Sequence, residues 1–235
     1  MDRRFLGILA VIVIVFVGIF ALSQKSSNGS GGNTSSTNQP TNHVQGQGSA
    51  GVTLVEYGDY ECPICGEYYQ PLKQVVTQFQ DQIHFQFRNL PLTQIHPNAF
   101  AGARAAEAAG LQGKYWQMHD QLYENQDPTG QTGWVAASDP LNNYFVKFAQ
   151  NIGLNVTKFK QDYGSEQANN SINADLNAFS KTGQEMATPA FFLDGKYLNN
   201  SDLGVPGATP YQLNTTATVN NFAKAINAAI AAKKS

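Results

Sequence analysis

The sequence predicts an α/β domain in which a block of helices interrupts a small sheet, preceded by an apolar N-terminal helix and a flexible linker. A strand-helix-strand pattern over residues 51 to 90 and a hairpin pattern near the C-terminus predict the sheet. Successive helical patterns over about 98–182 predict the insertion between them. The chain has 235 residues, of which 42% are hydrophobic, enough for one domain with appendages.

The N-terminus reads as a cytoplasmic stub and membrane anchor over residues 1–22. Phe5 to Leu22 form an uncharged, mostly apolar run, and as a helix it would extend about 27 Å, enough to cross a hydrocarbon core of about 30 Å. Arg3 and Arg4 favour a cytoplasmic N-terminus, with the rest of the chain outside. A cleaved signal peptide is the alternative, because Ala21-Leu22-Ser23 fits a small-x-small cleavage site. Both readings place the remainder outside the cytosol, either tethered to the cell membrane or secreted or periplasmic.

Residues 23–50 are rich in Ser, Asn, Gly and Gln and predict a disordered linker, in which His43 is expected to play no part. The folded domain is then expected to span 51–235. The formal charge of the whole chain is −2, so no basic excess favours binding to nucleic acid.

Residues 51–59 and 84–89 predict strands joined by a helix, which would make them a parallel pair. Helices are predicted over 98–109, 114–125, 140–151 and 165–181, a hairpin over 190–193 and 196–198 turned by Asp194-Gly195, and a closing helix over 219–232.

Cys62 and Cys65 are the only cysteines, and they lie at the junction of the first strand and the first helix. Residues three apart on a helix have Cα atoms about 5 Å apart, within disulfide range. Pro63 fits the first helical position, so Cys62 becomes the N-cap, beside unpaired amides and the positive end of the helix dipole. This predicts a nucleophilic Cys62 with a lowered pKa and a shielded, resolving Cys65.

Two other readings of the pair remain. A structural disulfide across so short a loop would stabilise little, and a zinc site would need two further ligands at a recognisable spacing. No cofactor-binding motif and no metal-binding motif are present in the sequence.

Several segments together resemble the DsbA-like thiol-disulfide oxidoreductases of the bacterial cell envelope, which have a thioredoxin-like core with a helical insertion. The matching segments are EYGDYECPIC from Glu56, FRNLPL from Phe87, AGARAAEAAGLQGKYWQMHDQLYENQ from Ala101, and TPAFF from Thr188 followed by Asp194-Gly195-Lys196. The resemblance implies that Pro189 is a cis-proline facing the disulfide. It also implies that Thr188, Pro63 and Ile64 support substrate binding around the cysteines.

The resemblance further implies that Glu56 is a buried carboxylate beneath Cys65. In a central strand it would have a raised pKa and could take the proton from Cys65 directly or through water; an exposed edge-strand glutamate is the alternative. Similarly, Thr188-Pro189 could simply begin a strand or mark a turn. Strong oxidants of this family carry His where this chain has Ile64, and Asp59 and Glu61 add negative charge, so we expect a moderate oxidant. His96-Pro97-Asn98 is predicted to cap the next helix.

The expected function is therefore transfer of disulfides to cysteine-containing exported proteins. The expected partners are these substrates and a membrane protein of the quinone-linked type that reoxidises Cys62 and Cys65, and the chain is expected to be monomeric. A disulfide reductase or isomerase is the alternative enzyme, and a redox-inert binding or metal-delivery module is the alternative outside enzymes.

Overall fold

The computed structural model describes residues 39–204 and 212–234. In these ranges a five-stranded sheet has helices on both faces. The strands are β1 (His43–Gln45), β2 (Val52–Gly58), β3 (Ile83–Asn89), β4 (Ala190–Leu193) and β5 (Lys196–Leu198). The helices are α1 (Pro63–Gln78), α2 (Ala99–Gly110), α3 (Tyr115–Glu124), α4 (Val146–Asn151), α5 (Val156–Tyr163), α6 (Glu166–Ser180), α7 (Asn200–Leu203) and α8 (Thr215–Lys234).

The strand order is β1-β3-β2-β4-β5, which places β2 at the centre. β2 and β3 are parallel, as predicted, and β4 pairs antiparallel with both β2 and β5. The predicted hairpin is confirmed, with Asp194 and Gly195 at φ 48° and 78° in its turn. The central strand therefore leads directly into the cysteine motif at the start of α1.

Alternate residues of β2 face opposite layers of helix. Val52 and Leu54 belong to the core formed with α1 and α8, whereas Val55 and Tyr57 pack in the cluster that includes residues of α6. Because side chains alternate along a strand, Glu56 lies on the same face as Leu54, beneath α1.

The predicted helical insertion is confirmed, and it contains one helix that the sequence did not reveal. Helix α5 begins after Asn155, whose side chain accepts a hydrogen bond from the Lys158 amide. A π-helical turn over Leu141–Phe145 precedes α4. The closing helix begins at Thr215 rather than 219, because Asn214 accepts a hydrogen bond from the Ala217 amide.

The prediction of a disordered linker over residues 23–50 is wrong for its last part, since His43–Gln45 form β1 against β3. Pairing at a sheet edge uses main-chain groups and needs no run of apolar residues, so composition concealed this strand. His43 is also not inert: its ring stacks on Tyr115 at 3.4 Å, and its Nε2 lies 2.9 Å from Glu107.

The predicted anchor over residues 1–22 and the linker as far as residue 38 lie outside the described residues. Within the described ranges, none of the helices combines the length and the apolar character needed to cross a bilayer.

Candidate active site

The cysteine motif lies where the sequence placed it, at the end of the central strand and the beginning of α1. Cys62 is the N-cap residue, and Pro63 occupies the first helical position. Both cysteines are free thiols in this structure. Cys62 retains 6% of its surface and Cys65 none, so of the two cysteines only Cys62 has any surface open to a partner. Ile64 between them is 39% exposed.

The surroundings of Cys62 favour its thiolate. A hydrogen bond from the Cys65 thiol lowers the pKa of Cys62 to about 6, with further help from Thr188 and from the Cys65 amide in the first helical turn. Burial and the negative charge of Asp59 oppose this shift without overcoming it.

The surroundings of Cys65 favour its neutral thiol. Burial raises the pKa of Cys65 well above its ordinary value, and its hydrogen bond to Cys62 and the charges of Cys62 and Glu56 act in the same direction. Its sulfur accepts one hydrogen bond from the Asp59 amide at 3.5 Å. The two sulfurs, one helical turn apart, therefore differ in protonation at neutral pH.

The Thr188-Pro189 peptide is cis and faces Cys62, whose sulfur lies 3.6 Å from the Thr188 carbonyl oxygen. The Thr188 hydroxyl is buried and has no hydrogen-bond partner among the described residues, which leaves it available to an ionised Cys62. Asn200 of α7 donates a hydrogen bond to the Pro189 carbonyl at 2.6 Å and holds this loop in place.

Glu56 is 3% exposed in the central strand, which disagrees with the edge-strand reading. Burial raises its pKa to about 8, and the charge of Cys62 adds to the effect. Glu56 also lines a cavity of about 200 Å³ between α1 and α3. Lys73 and Asp120, at the outer part of its lining, have side chains 46% and 38% exposed, so the cavity extends from the buried carboxyl to exposed polar groups.

A second group of ionisable residues surrounds the start of the motif. The Asp59 carboxylate accepts hydrogen bonds from the amides of Glu61 and Leu92 and from His96 Nδ1. The Glu61 carboxylate accepts a hydrogen bond from the Asn98 amide at the start of α2, and burial raises its pKa to about 7.

This arrangement corrects the predicted helix cap. Asn98 occupies the N-cap position of α2, but its side chain makes no capping hydrogen bond. It donates instead to the carbonyls of Trp134, Val135 and Ala137. The carboxylate that caps α2 is that of Glu61, and the His96 side chain binds Asp59 instead.

Comparison with known proteins identifies the family. A family model described as "Thioredoxin" matches residues 38–204. The chain belongs to the thioredoxin family. The match begins before β1, in agreement with a domain that starts upstream of residue 51.

Among solved structures, BdbD from Bacillus subtilis in its oxidised form gives a TM-score of 0.63 at 22% identity, covering 82% of this chain and 96% of that one. The thiol-disulfide exchange protein alpha-DsbA2 from Wolbachia pipientis gives 0.59 at 19% identity, covering 80% and 86%. The fold is thus DsbA-like, a thioredoxin core with a helical insertion.

A curated relative, "Na(+)/H(+) antiporter NhaA 1" from Salinispora arenicola, is 36% identical over 154 residues, which are 66% of this chain and 22% of the antiporter. The chain therefore spans about a fifth of the length of this relative.

The structure brings all the predicted site residues together. Glu56 lies beneath α1, Pro63 and Ile64 lie between the two cysteines, and Thr188 and Pro189 face Cys62. Sequence reasoning missed Asn200, which supports the Pro189 loop, and the contacts of Asp59 with His96. No local pattern signals either, because both depend on segments that meet only in the folded chain. Among the described residues, no cluster of His, Cys, Asp and Glu is arranged to hold a metal ion.

Proposed function

We propose that this chain is an extracytoplasmic thiol-disulfide oxidoreductase that introduces disulfides into exported proteins through Cys62 and Cys65. The observation that carries the proposal is the contrast between the two sulfurs: one is slightly exposed, with its thiolate favoured, and the other is buried and neutral. A favoured thiolate stabilises the reduced pair, and a stabilised reduced form makes the disulfide an oxidant. The fold shared with a thiol-disulfide exchange protein supports the same chemistry.

The reaction begins with the Cys62–Cys65 disulfide. A substrate thiolate attacks the Cys62 sulfur, which forms a mixed disulfide and releases Cys65 as a thiolate that takes up a proton. A second substrate thiolate attacks the substrate's sulfur in the mixed disulfide and releases the Cys62 thiolate. The substrate loses two electrons and gains a disulfide, and the Cys62–Cys65 pair gains the two electrons. A membrane oxidant of the quinone-linked type would restore the disulfide.

Glu56 is proposed to exchange the proton of Cys65. It lies beneath α1, its charge interacts with that of Cys65, and its raised pKa keeps a proton available near neutral pH. The cavity of about 200 Å³ beside it has room for several water molecules at about 30 Å³ each. Water there would connect Glu56 with solvent near Lys73 and Asp120.

The Thr188 main chain is proposed to bind the substrate segment next to its cysteine. The Thr188 carbonyl lies beside the reactive sulfur, so an extended peptide that paired with this residue would present its own cysteine to Cys62. The exposed Ile64 offers an apolar contact to the same segment. The apolar run over residues 5–22, preceded by two arginines, supports placement of this reaction outside the cytosol.

The direction of transfer is tested by equilibrating the wild-type protein with glutathione buffers and by mixing it with a reduced peptide that carries two cysteines. We expect the oxidised protein to oxidise the peptide, with a reduction potential closer to about −120 mV than to about −270 mV, the values of a strong envelope oxidant and of thioredoxin. A potential near the lower value, with reduction of disulfides, would make the chain a reductase. No equilibration at all would leave only the redox-inert module.

A further inference from the structure

A buried hydrogen bond between a histidine and a carboxylate lies beside the cysteine motif, and the exchange chemistry above does not use it. His96 Nδ1 donates a hydrogen bond to Asp59 Oδ2 at 2.7 Å, with the Asp59 side chain fully buried and that of His96 15% exposed. His96 comes from the connection between β3 and α2, a different part of the chain from the motif.

The main chain of Asp59 contacts both cysteines. Its amide donates to the Cys65 sulfur at 3.5 Å, and its carbonyl oxygen accepts from the Cys62 amide at 3.1 Å. Three donors hold its carboxylate: the amides of Glu61 and Leu92 at 2.8 and 2.9 Å, and His96. One residue therefore connects His96 with the Cys65 sulfur and with the Cys62 main chain.

The charge of Asp59 also acts on the motif, since it opposes ionisation of Cys62. The ionisable groups that face His96 are Asp59, Glu61 and Cys62. The hydrogen bond to Asp59 raises the pKa of His96 against the opposing effect of burial, and the charges of all three groups act in the same direction as that bond. A protonated His96 thus offsets negative charge at the place where the Cys62 thiolate must form.

We propose that His96 is a positioning residue for thiol-disulfide exchange: it fixes the Asp59 main chain that contacts both cysteines and supplies positive charge beside Cys62. This inference rests on the proposed function. It assigns to a residue more than thirty positions away in sequence the cationic support that Ile64, between the cysteines, cannot give.

The test compares wild-type protein with His96→Gln, His96→Leu and the control His84→Gln, in which the replaced histidine lies in β3. Glutamine keeps a donor for Asp59 without the charge, and leucine removes both. We expect the equilibrium constant for oxidation of glutathione to fall about threefold in His96→Gln and about tenfold in His96→Leu, the latter equal to about 30 mV. The pKa of Cys62, followed by thiolate absorbance, should rise in the same order, and His84→Gln should match wild type.

Unfolding of the oxidised and reduced forms separates positioning from simple support of the fold. The inference requires the reduced form to lose more stability than the oxidised form. Equal losses with an unchanged Cys62 pKa, or equilibrium constants within twofold of wild type in both variants, would overturn it. If His96→Leu does not fold, His96→Gln decides the question alone. Failure of the wild-type protein to equilibrate with glutathione would overturn the proposed function, a separate result.

Discussion

The N-terminal end of α1, where Cys62 lies, and the space beneath the helix differ sharply in the protonation states they favour. Only one helical turn separates the two sulfurs. At the N-terminal end, Cys62 has a small exposed surface and nearby donors that favour its thiolate. Beneath the helix, Cys65 and Glu56 are buried among strands and side chains, and burial favours the proton-bearing form of each.

This difference shows how one short motif provides both an accessible sulfur that favours its thiolate and a shielded sulfur that favours its thiol. The first sulfur is the better leaving group and the better anion because donors face it. The second stays protonated, and we propose that it exchanges this proton through the buried carboxyl and the adjacent cavity. The unsymmetrical environment therefore distinguishes the attacking sulfur from the resolving sulfur in the proposed exchange, and replacing individual residues tests that asymmetry.

The largest effect is expected from replacing the sulfurs one at a time. Cys62→Ser should lose all turnover and capture no partner, because the accessible nucleophile is gone. Cys65→Ser should accumulate stable mixed disulfides, because nothing inside the protein resolves them. Non-reducing gels after incubation of the reduced variants with a disulfide-bonded two-cysteine substrate, whose disulfide the Cys62 thiolate would attack, check both outcomes. Similar behaviour of the two variants would mean that the two sulfurs are interchangeable.

Replacement of the buried carboxyl should have the next largest effect. Glu56→Gln should slow exchange about tenfold to a hundredfold near neutral pH, because the proton of Cys65 loses the carboxyl that supplies and accepts it. Stopped-flow fluorescence or quenched-flow alkylation measures the rate. Glu166→Gln, on the surface of α6, serves as the control. An unchanged rate and pH profile would remove Glu56 from the mechanism.

The same variant has a predicted signature in stability. The folded-state pKa of Glu56 is about 8, above its ordinary value of 4.5. The stability that comes from keeping it neutral is therefore complete below pH 4.5 and is lost as pH rises toward 8. Glu56→Gln should escape this loss, with an advantage in unfolding free energy that grows by up to about 1.4 kcal/mol per pH unit across this window. Urea unfolding at pH 5 and pH 8 should show the larger advantage at pH 8, and equal differences would contradict the burial argument.

A smaller effect is expected on the Cys62 side. Thr188→Val removes the buried hydroxyl that faces the sulfur and should raise the pKa of Cys62 by up to about one pH unit. Thiolate absorbance against pH provides the measurement, with Thr77→Val on α1, an exposed position, as control. If Cys62 of the valine variant titrates like that of wild type, the hydrogen bonds from Cys65 and the helix alone account for the low pKa of Cys62.

The smallest effect concerns the support of the Thr188-Pro189 loop. Asn200→Ala removes the hydrogen bond to the Pro189 carbonyl and should cost about 1 kcal/mol of unfolding free energy, with little change in the Cys62 pKa. The exposed Ser201→Ala is the matched control. A large change in the Cys62 pKa would show that α7 influences the sulfur as well as the loop.

The sequence predicted the parts of this asymmetry that are local. Glu56, Cys62 and Cys65 lie within ten consecutive residues, so strand alternation and helix geometry place them relative to one another. Thr188 lies 126 positions from Cys62 and could be placed beside it only through resemblance to a known family.

Other features of the structure could not be predicted from local sequence patterns. β1 contains no apolar run, and His43 is ordered by a stacked ring and a carboxylate from the insertion. Helix α5 buries Phe159 alone, too little for a clear amphipathic pattern. The contact of His96 with Asp59 joins two connections that meet only after the sheet and insertion have formed.

Alkylation of each cysteine as a function of pH, with the two sites separated by peptide mass spectrometry, tests the central claim most directly. The reduced wild-type protein should be modified at Cys62 with a midpoint near pH 6, while Cys65 remains unmodified well beyond pH 9. Modification of both sulfurs with a common midpoint near about 8.5, the value of an ordinary cysteine, would contradict the account.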